Sequence, residues 1–184
     1  MPLTVLPFPN LDTLICRHIS KEEDPETADL IDRLSEVRKR GYFTRSELIE
    51  ICRWKSPRVI NHIYHNRAIR IQNIASAAFA TRSEQQKLSL LTSLQGVGVP
   101  MASAILTLTN PRRYGVIDIR VWQLLHTMGA VHSNVNGTGF SYQQWNIFLN
   151  ILRTFAKKYN VGARDIERTF FEVHKFYQKG KLYR

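Results

Sequence analysis

The sequence predicts an all-α protein, and three observations carry that expectation. Apolar residues recur at helical three- and four-residue spacing along most of the chain. Alternation of apolar and polar residues, the mark of a half-buried strand, is short everywhere. Helix-start signatures are frequent. Thr44 with Glu47, Ser83 with Gln86 and Ser141 with Gln144 each fit the capping box, in which paired side chains satisfy the orphan N–H groups of a first turn.

Taken in order, Leu30, Leu34 and Val37 form a helical stripe that stops at Gly41. Ile49 and Cys52 form a second before a turn at Lys55, and Ser56-Pro57 reads as an N-cap and first helical residue. Ile71, Ile74 and Ala78 mark a third helix, and Leu88, Leu91 and Leu94 a fourth that runs to Gln95. Ala102, Ile105 and Leu106 begin a fifth, and Val121, Leu124 and Leu125 a sixth closed by Gly129. His132 to Phe140, with Gly137 and Gly139, reads as a loop. Trp145, Phe148, Leu149 and Leu152 form a seventh helix, and Ile166, Phe170 and Val173 an eighth.

A length of 184 residues suggests one domain. With 43% apolar and 22% charged residues, the chain can bury a core without disulfides. Cys16 and Cys52 are the only cysteines; two thiols point to a reducing compartment rather than a bridge, and they are too few for a four-cysteine iron–sulfur site. The start, "MPLTVLPFPNLDTL", lacks the basic opening and long apolar stretch of a signal peptide, and no apolar run reaches membrane-spanning length. The expectation is a cytoplasmic protein with no membrane partner. His62, His65, His126 and His132 lack metal-ligand spacing, so no metal site is expected. The net charge of +11 favours a polyanionic partner, of which nucleic acid is the commonest. A solubility charge spread over the surface is the other reading. The basic residues are scattered, without a polylysine tail, which favours a folded basic face over a disordered arm.

"LQGVGVP", Leu94 to Pro100, places two glycines one residue apart between two helices. The turn is too short for a loop, Pro100 suits the first turn of the next helix, and Ala102, Ser103 and Ala104 are small enough for close helix packing. This is helix–hairpin–helix syntax. Glycines let the backbone approach a phosphate, and the following helix offers free N–H groups and a positive dipole end. By itself, Gly96-Val97-Gly98 fits equally a plain turn with a glycine C-cap. The next stretch, "NPRRYGVIDIRVWQLL" from Asn110 to Leu125, sets Arg112 and Arg113 in a turn before Asp118, where a helix begins.

Together these motifs resemble the helix–hairpin–helix superfamily of base-excision DNA glycosylases. The resemblance is carried by Leu94, Gly96, Val97, Gly98 and Ala102, then Val116-Ile117-Asp118 and Val121, and is specific over Leu94 to Leu125. It implies a two-lobed helical domain with DNA in the cleft between lobes. Asp118 would then be the catalytic carboxylate, stabilising positive charge on the deoxyribose and orienting water. The other reading of Asp118 is a helix cap, and both can hold at once. Bifunctional members carry a lysine just inside the second hairpin helix, whose amine attacks the sugar. Pro100 stands there in this chain, which implies a monofunctional enzyme that leaves an abasic site. No sequence feature points to Lys55 or Lys87 as a substitute. The resemblance also implies double-stranded DNA as partner, no iron–sulfur cluster, a monovalent cation at the hairpin carbonyls and a monomer associated with the nucleoid. The rival class is a non-catalytic helix–hairpin–helix nucleic-acid-binding module.

"CRWKSPR", Cys52 to Arg58, is a second candidate region. Family members use a polar turn at such a junction to fill the gap left by a flipped nucleotide. Trp54 could stack on a base, or pack in the core; Lys55, Ser56 and Arg58 are candidates for phosphate contact. Arg112, Arg113 and Arg120 flank the proposed site, where arginine can contact phosphate bidentately or pair locally. Trp122, Trp145 and Phe148 lie in apolar stripes and read as core. The C-terminal "FYQKGKLYR" either adds basic contacts or docks on the body. The architecture expected is a single domain. Residues 44–135 form a central bundle with its hairpin at 88–109, and residues 1–43 with 140–184 form the second lobe.

Overall fold

In the computed structural model, which describes residues 6–178, the chain forms ten α-helices and one 3-10 turn, with no strand among the described residues. Helix α1 (Leu11–His18) is capped by the Asn10 side chain, and α2 (Pro25–Arg40) by that of Asp24. Gly41 closes α2 in the left-handed region at φ 80°, where a side chain is costly. Helix α3 (Arg45–Lys55) starts with the complete Thr44–Glu47 capping box. A 3-10 turn (Pro57–Val59), α4 (Ile60–Tyr64) and α5 (Ala68–Ala80) follow. Then come α6 (Glu84–Thr92), α7 (Val99–Thr109), α8 (Ile119–Thr127), α9 (Tyr142–Tyr159) and α10 (Ala163–Tyr177).

Each of the eight expected stripes is a helix. Helix α1 is additional, although Leu11, Leu14 and Ile15 give it a short apolar stripe, and the helix expected from Ser56-Pro57 is a 3-10 turn followed by α4. Three local readings need correction. Ser83 caps α6, but Gln86 turns to the Thr81 hydroxyl at 2.7 Å instead of back to Ser83. Ser56 makes no side-chain cap, and Pro57 opens only the 3-10 turn. Helix α6 stops at Thr92, short of Gln95.

One continuous apolar core holds Leu14, Leu48, Ile71, Leu91, Ile105, Trp122, Trp145 and Phe170 among others. Trp122, Trp145 and Phe148 are fully buried, as their stripes implied. Around that core, α7 packs against α2, α3 and α6, and α5 lies along α6. Helix α10 packs against α8, α9 and α1. Two of these contacts run across the expected division of the chain. Helix α2 packs on α7, and its Leu30, Leu34 and Val37 are buried. Helix α8 lies with α10 rather than in a 44–135 bundle. The N-terminal five residues and the last six of "FYQKGKLYR" lie outside the described residues.

Candidate functional site

The turn between α6 and α7 is held by a residue distant in sequence. Buried Asn66 forms a two-way amide pair with Gln95. Its Oδ1 accepts the Gln95 N–H at 2.9 Å, and its Nδ2 donates to the Gln95 carbonyl at 2.9 Å. Arg70 adds a bond to the Ser93 carbonyl. Val97 is buried and plugs the turn into the core. The two glycines have different reasons. Gly96 sits at φ +80°, and a Cβ there would lie 2.9 Å from His62 Cβ and 3.1 Å from Ile63 Cδ1. Gly98 has φ −85° and is exposed, and a Cβ there would meet only Pro100 Cδ, at 3.9 Å. No neighbour in the fold requires Gly98 to be glycine. It caps α7, and the Gly98 and Val99 N–H groups have no partner among the described residues. The turn thus presents a bare backbone and a helix N-terminus outward, the geometry that suits an anion.

Asp118 is the N-cap of α8. Its Oδ1 accepts the Arg120 and Val121 N–H groups at 3.0 and 3.1 Å. Its Oδ2 is 3.3 Å from the Lys55 Nζ, and both side chains are mostly shielded from solvent. The approach to Asp118 is fixed by Ser103 on α7, whose hydroxyl accepts the Ile117 N–H at 3.1 Å and donates to the Pro100 carbonyl at 2.8 Å. One side chain therefore couples the start of α7 to the approach of the carboxylate.

Asp118 and Lys55 line a recess of about 1020 Å³ whose walls come from α1, the 20–24 segment, α2, α3, the 3-10 turn, α7, α8, the 137–140 loop and α10. Ser56, Arg58, Pro100 and Arg120 line it too. Arg58 is exposed and has no partner among the described residues. Arg120 reaches His174 Nδ1 at 3.4 Å and lies over the Phe171 ring. His174 is buried, and burial together with the nearby Arg120 charge pushes its imidazole down to about 4. A neutral ring fits its contacts: Nδ1 accepts from Arg120 and Nε2 donates to the Gln123 Oε1 at 3.2 Å.

The far wall is a charge network around Glu23, Arg164, Glu167 and Arg168. Arg164 and Arg168 both bind Glu23, and Arg164 also binds Glu167. Burial pushes the Glu167 carboxyl up; Arg164 opposes this, and the charge of Asp118 adds to it. Burial disfavours the Arg164 charge, but the Glu167 and Glu23 carboxylates outweigh it and hold the guanidinium protonated.

The structure thus brings together Asp118, Lys55, Ser56, Arg58, Pro100 and Arg120, with the Gly96-Val97-Gly98 turn leading into α7. It does not bring Arg112 or Arg113 to the recess. Arg113 pairs with Glu84 at 2.9 Å, and the Arg112 carbonyl accepts the Ala163 N–H at the start of α10. That correction has a simple cause: the Asn110–Tyr114 turn hands the chain toward α6 and α9 before Gly115 returns it. Trp54 lines the recess but is anchored, its Nε1 donating to Thr27 Oγ1 at 2.9 Å and its ring lying under Arg164. A free wedge is therefore not available from Trp54, because its polar edge and one face are already engaged. Asn66, Ser103 and the Glu23–Arg164–Glu167 network have no local sequence signature, since each acts through a partner many residues away. His62, His65 and Arg67 are exposed on either side of buried Ile63 and Asn66, and periodicity around Ile63 could have revealed them. Among the described residues, no group of His, Cys, Asp and Glu is arranged to hold a metal ion, and no helix is long and apolar enough to cross a membrane. Cys16 and Cys52 are unpaired thiols. Comparison of the chain with protein-family models, curated proteins and solved structures finds no match.

Proposed function

We propose that this protein is a DNA N-glycosylase that flips out a damaged or modified base and hydrolyses its bond to the sugar, leaving an abasic site. The observation that carries the reading is the position of Asp118. Its Oδ1 is spent on the α8 cap, while Oδ2 faces a recess beside an outward-facing hairpin turn. Glycosidic cleavage needs a carboxylate fixed where positive charge develops on the sugar. A capped carboxylate meets that need because it cannot swing away. Double-stranded DNA is the proposed partner, gripped through phosphates by the Gly98–Val99 backbone, Arg58 and the α4–α5 basic face. A two-lobed arrangement would place DNA across the mouth of the recess, with the protein acting as a monomer on the nucleoid. A monovalent cation at the hairpin carbonyls belongs to the same reading, and no iron–sulfur cluster does.

The second reading is a non-catalytic helix–hairpin–helix binding module. It is favoured by the Lys55–Asp118 ion pair, which neutralises the carboxylate in the free protein. Single-turnover base release separates the two. Duplexes carrying uracil, alkylated purines, oxidised guanine, mismatched adenine or modified cytosines are incubated with the wild type and with Asp118→Asn. Release by the wild type that is lost in Asp118→Asn supports the enzyme. Tight binding of every duplex by both proteins, with no release, supports the module.

A further inference from the structure

We propose that the protein binds a terminal phosphate, the group of a phosphomonoester, in a second cavity at the far end of α7 from the recess. This inference stands apart from the glycosylase reading. The cavity holds about 450 Å³ and is walled by the last turns of α2, α5 and α7, by α6 and by the Asn110–Tyr114 turn. Pro100 lines the recess and Thr109 lines the cavity. At the helical rise per residue the two lie roughly 14 Å apart along α7. Four cations line the cavity, Arg38, Arg82, Lys87 and Arg113, and no carboxylate does. Arg113 is already paired with Glu84, which Arg153 and the Tyr114 hydroxyl also hold. Arg38 and Arg82 are exposed and have no partner among the described residues. Their freedom is not general on this surface: Lys39 and Arg40, next along α2, bind Glu36 and Glu47.

Lys87 is the second, independent observation. It is only 8% exposed, and its ammonium donates to the Ala78 and Thr81 carbonyls, both at 2.9 Å. Those bonds close the C-terminus of α5, a structural task. They use two of three N–H donors, and neutral carbonyls do not cancel the charge. No carboxylate pairs with Lys87 among the described residues. Burial pulls the ammonium pKa below the ordinary lysine value; Glu84 opposes this, and Arg113 and Arg153 add to it. A buried cation without a counter-charge is costly, and an anion accepting the third N–H offsets that cost. The Asn110 side-chain amide, also on the wall, has no hydrogen-bond partner among the described residues and supplies a further donor. The burial of Lys87 selects the kind of phosphate. A backbone phosphodiester carries a sugar on each side, which holds it on open surface. A monoester has one attachment, three free acceptor oxygens and close to two charges at neutral pH, so it can enter and reach the ammonium. Phe79 and Leu106 form the apolar wall beside which the attached group would lie.

The test is calorimetric titration of the full-length chain, at fixed ionic strength, with inorganic phosphate, with deoxyadenosine 5′-monophosphate and with deoxyadenosine. Wild type is compared with Arg38→Gln, Arg82→Gln and Lys157→Gln. The last removes the same charge from an exposed position of α9 outside the cavity. Melting temperature reports that each variant is folded. Phosphate and the monophosphate are expected to bind and the nucleoside is not. Affinity should fall roughly tenfold in each cavity variant, the loss of one charge-assisted hydrogen bond, and hold in Lys157→Gln. Base release should be unchanged in all three variants, so this proposal and the glycosylase reading fail separately. A single strand with a 5′-phosphate is titrated beside its 5′-hydroxyl form. Preference for the phosphorylated form, lost in Arg82→Gln, identifies a strand end as the source; binding of the free monophosphate without that preference identifies a small phosphomonoester. No heat and no rise in melting temperature with either phosphate overturns the proposal. So does affinity that survives in both Arg38→Gln and Arg82→Gln, or that falls as far in Lys157→Gln, the mark of diffuse surface charge.

Discussion

At the scale of single residues, Asp118 divides its oxygens between a helix cap and the recess, and that division makes its role testable. Asparagine caps a helix about as well as aspartate. Asp118→Asn keeps the cap but leaves the shielded Lys55 ammonium without its carboxylate, so the melting temperature is expected to fall moderately, while base release, measured at a temperature where the protein stays folded, falls by roughly 10²–10³-fold, the scale seen when one electrostatic contact to a transition state is removed. Base release by the folded fraction of Asp118→Asn equal to that of wild type would reduce Asp118 to a structural cap. The two hairpin glycines give a second contrast. Gly96→Ala must place a Cβ against His62 and Ile63 at positive φ, so a loss on the order of 1–3 kcal/mol is expected in chemical denaturation. Gly98→Ala has open space and an ordinary φ, so stability should hold while DNA affinity drops, because the methyl group stands where a phosphate would approach. Equal DNA affinity for Gly98→Ala and wild type would remove the phosphate role from this turn.

At the scale of elements, α8 is locked to α10 through Arg120, His174 and Gln123. Burial and Arg120 lower the His174 imidazole to about 4 from an ordinary 6.5. The unfolded chain thus takes up a proton near pH 6.5 that the folded chain refuses until about pH 4. The contribution is fully present above pH 6.5 and is lost as pH falls through that window, at most on the order of 3 kcal/mol. Glu167, pushed up by burial and by Asp118, acts in the opposite sense, so the wild-type curve alone mixes the two. The informative measurement is the difference in denaturation free energy between pH 7 and pH 4.5 for wild type and His174→Gln. A smaller difference in the variant is expected; identical differences would exclude His174 as the source. The hairpin element depends in the same way on Asn66. Asn66→Ala leaves the Gln95 N–H and C=O unpaired, and is expected to destabilise the protein by about 1–3 kcal/mol and to lower DNA affinity in a binding titration.

At the scale of the whole molecule, a net charge of +11 predicts DNA binding that weakens steeply with salt, and removing one phosphate interaction should flatten the log–log slope by about 0.9. Arg58→Gln and Arg67→Gln, at exposed positions beside the recess and the hairpin, are expected to do so without base release changing in proportion; unaltered slopes would move the DNA footprint elsewhere. The helical class, the stripes at Leu30–Val37 and Trp145–Leu152, the Thr44 and Ser141 boxes and the Gly96–Gly98 turn were all legible along the chain. Each is a relation between residues a few positions apart, and the physics of caps and helical periods is local. The anchoring of Trp54 on Thr27 and the diversion of Arg113 to Glu84 were not legible, because they depend on partners brought near only by packing. The same holds for the candidate site. Spacing marked Asp118 and marked Lys55 separately, 63 residues apart. The sequence by itself determined a basic helical protein with a glycine turn between two helices and a capping aspartate. The tertiary structure alone decided that the Lys55 amine and the Asp118 carboxylate share one recess, because a pairing across that separation is set by how α3, α7 and α8 pack, and no local period encodes it.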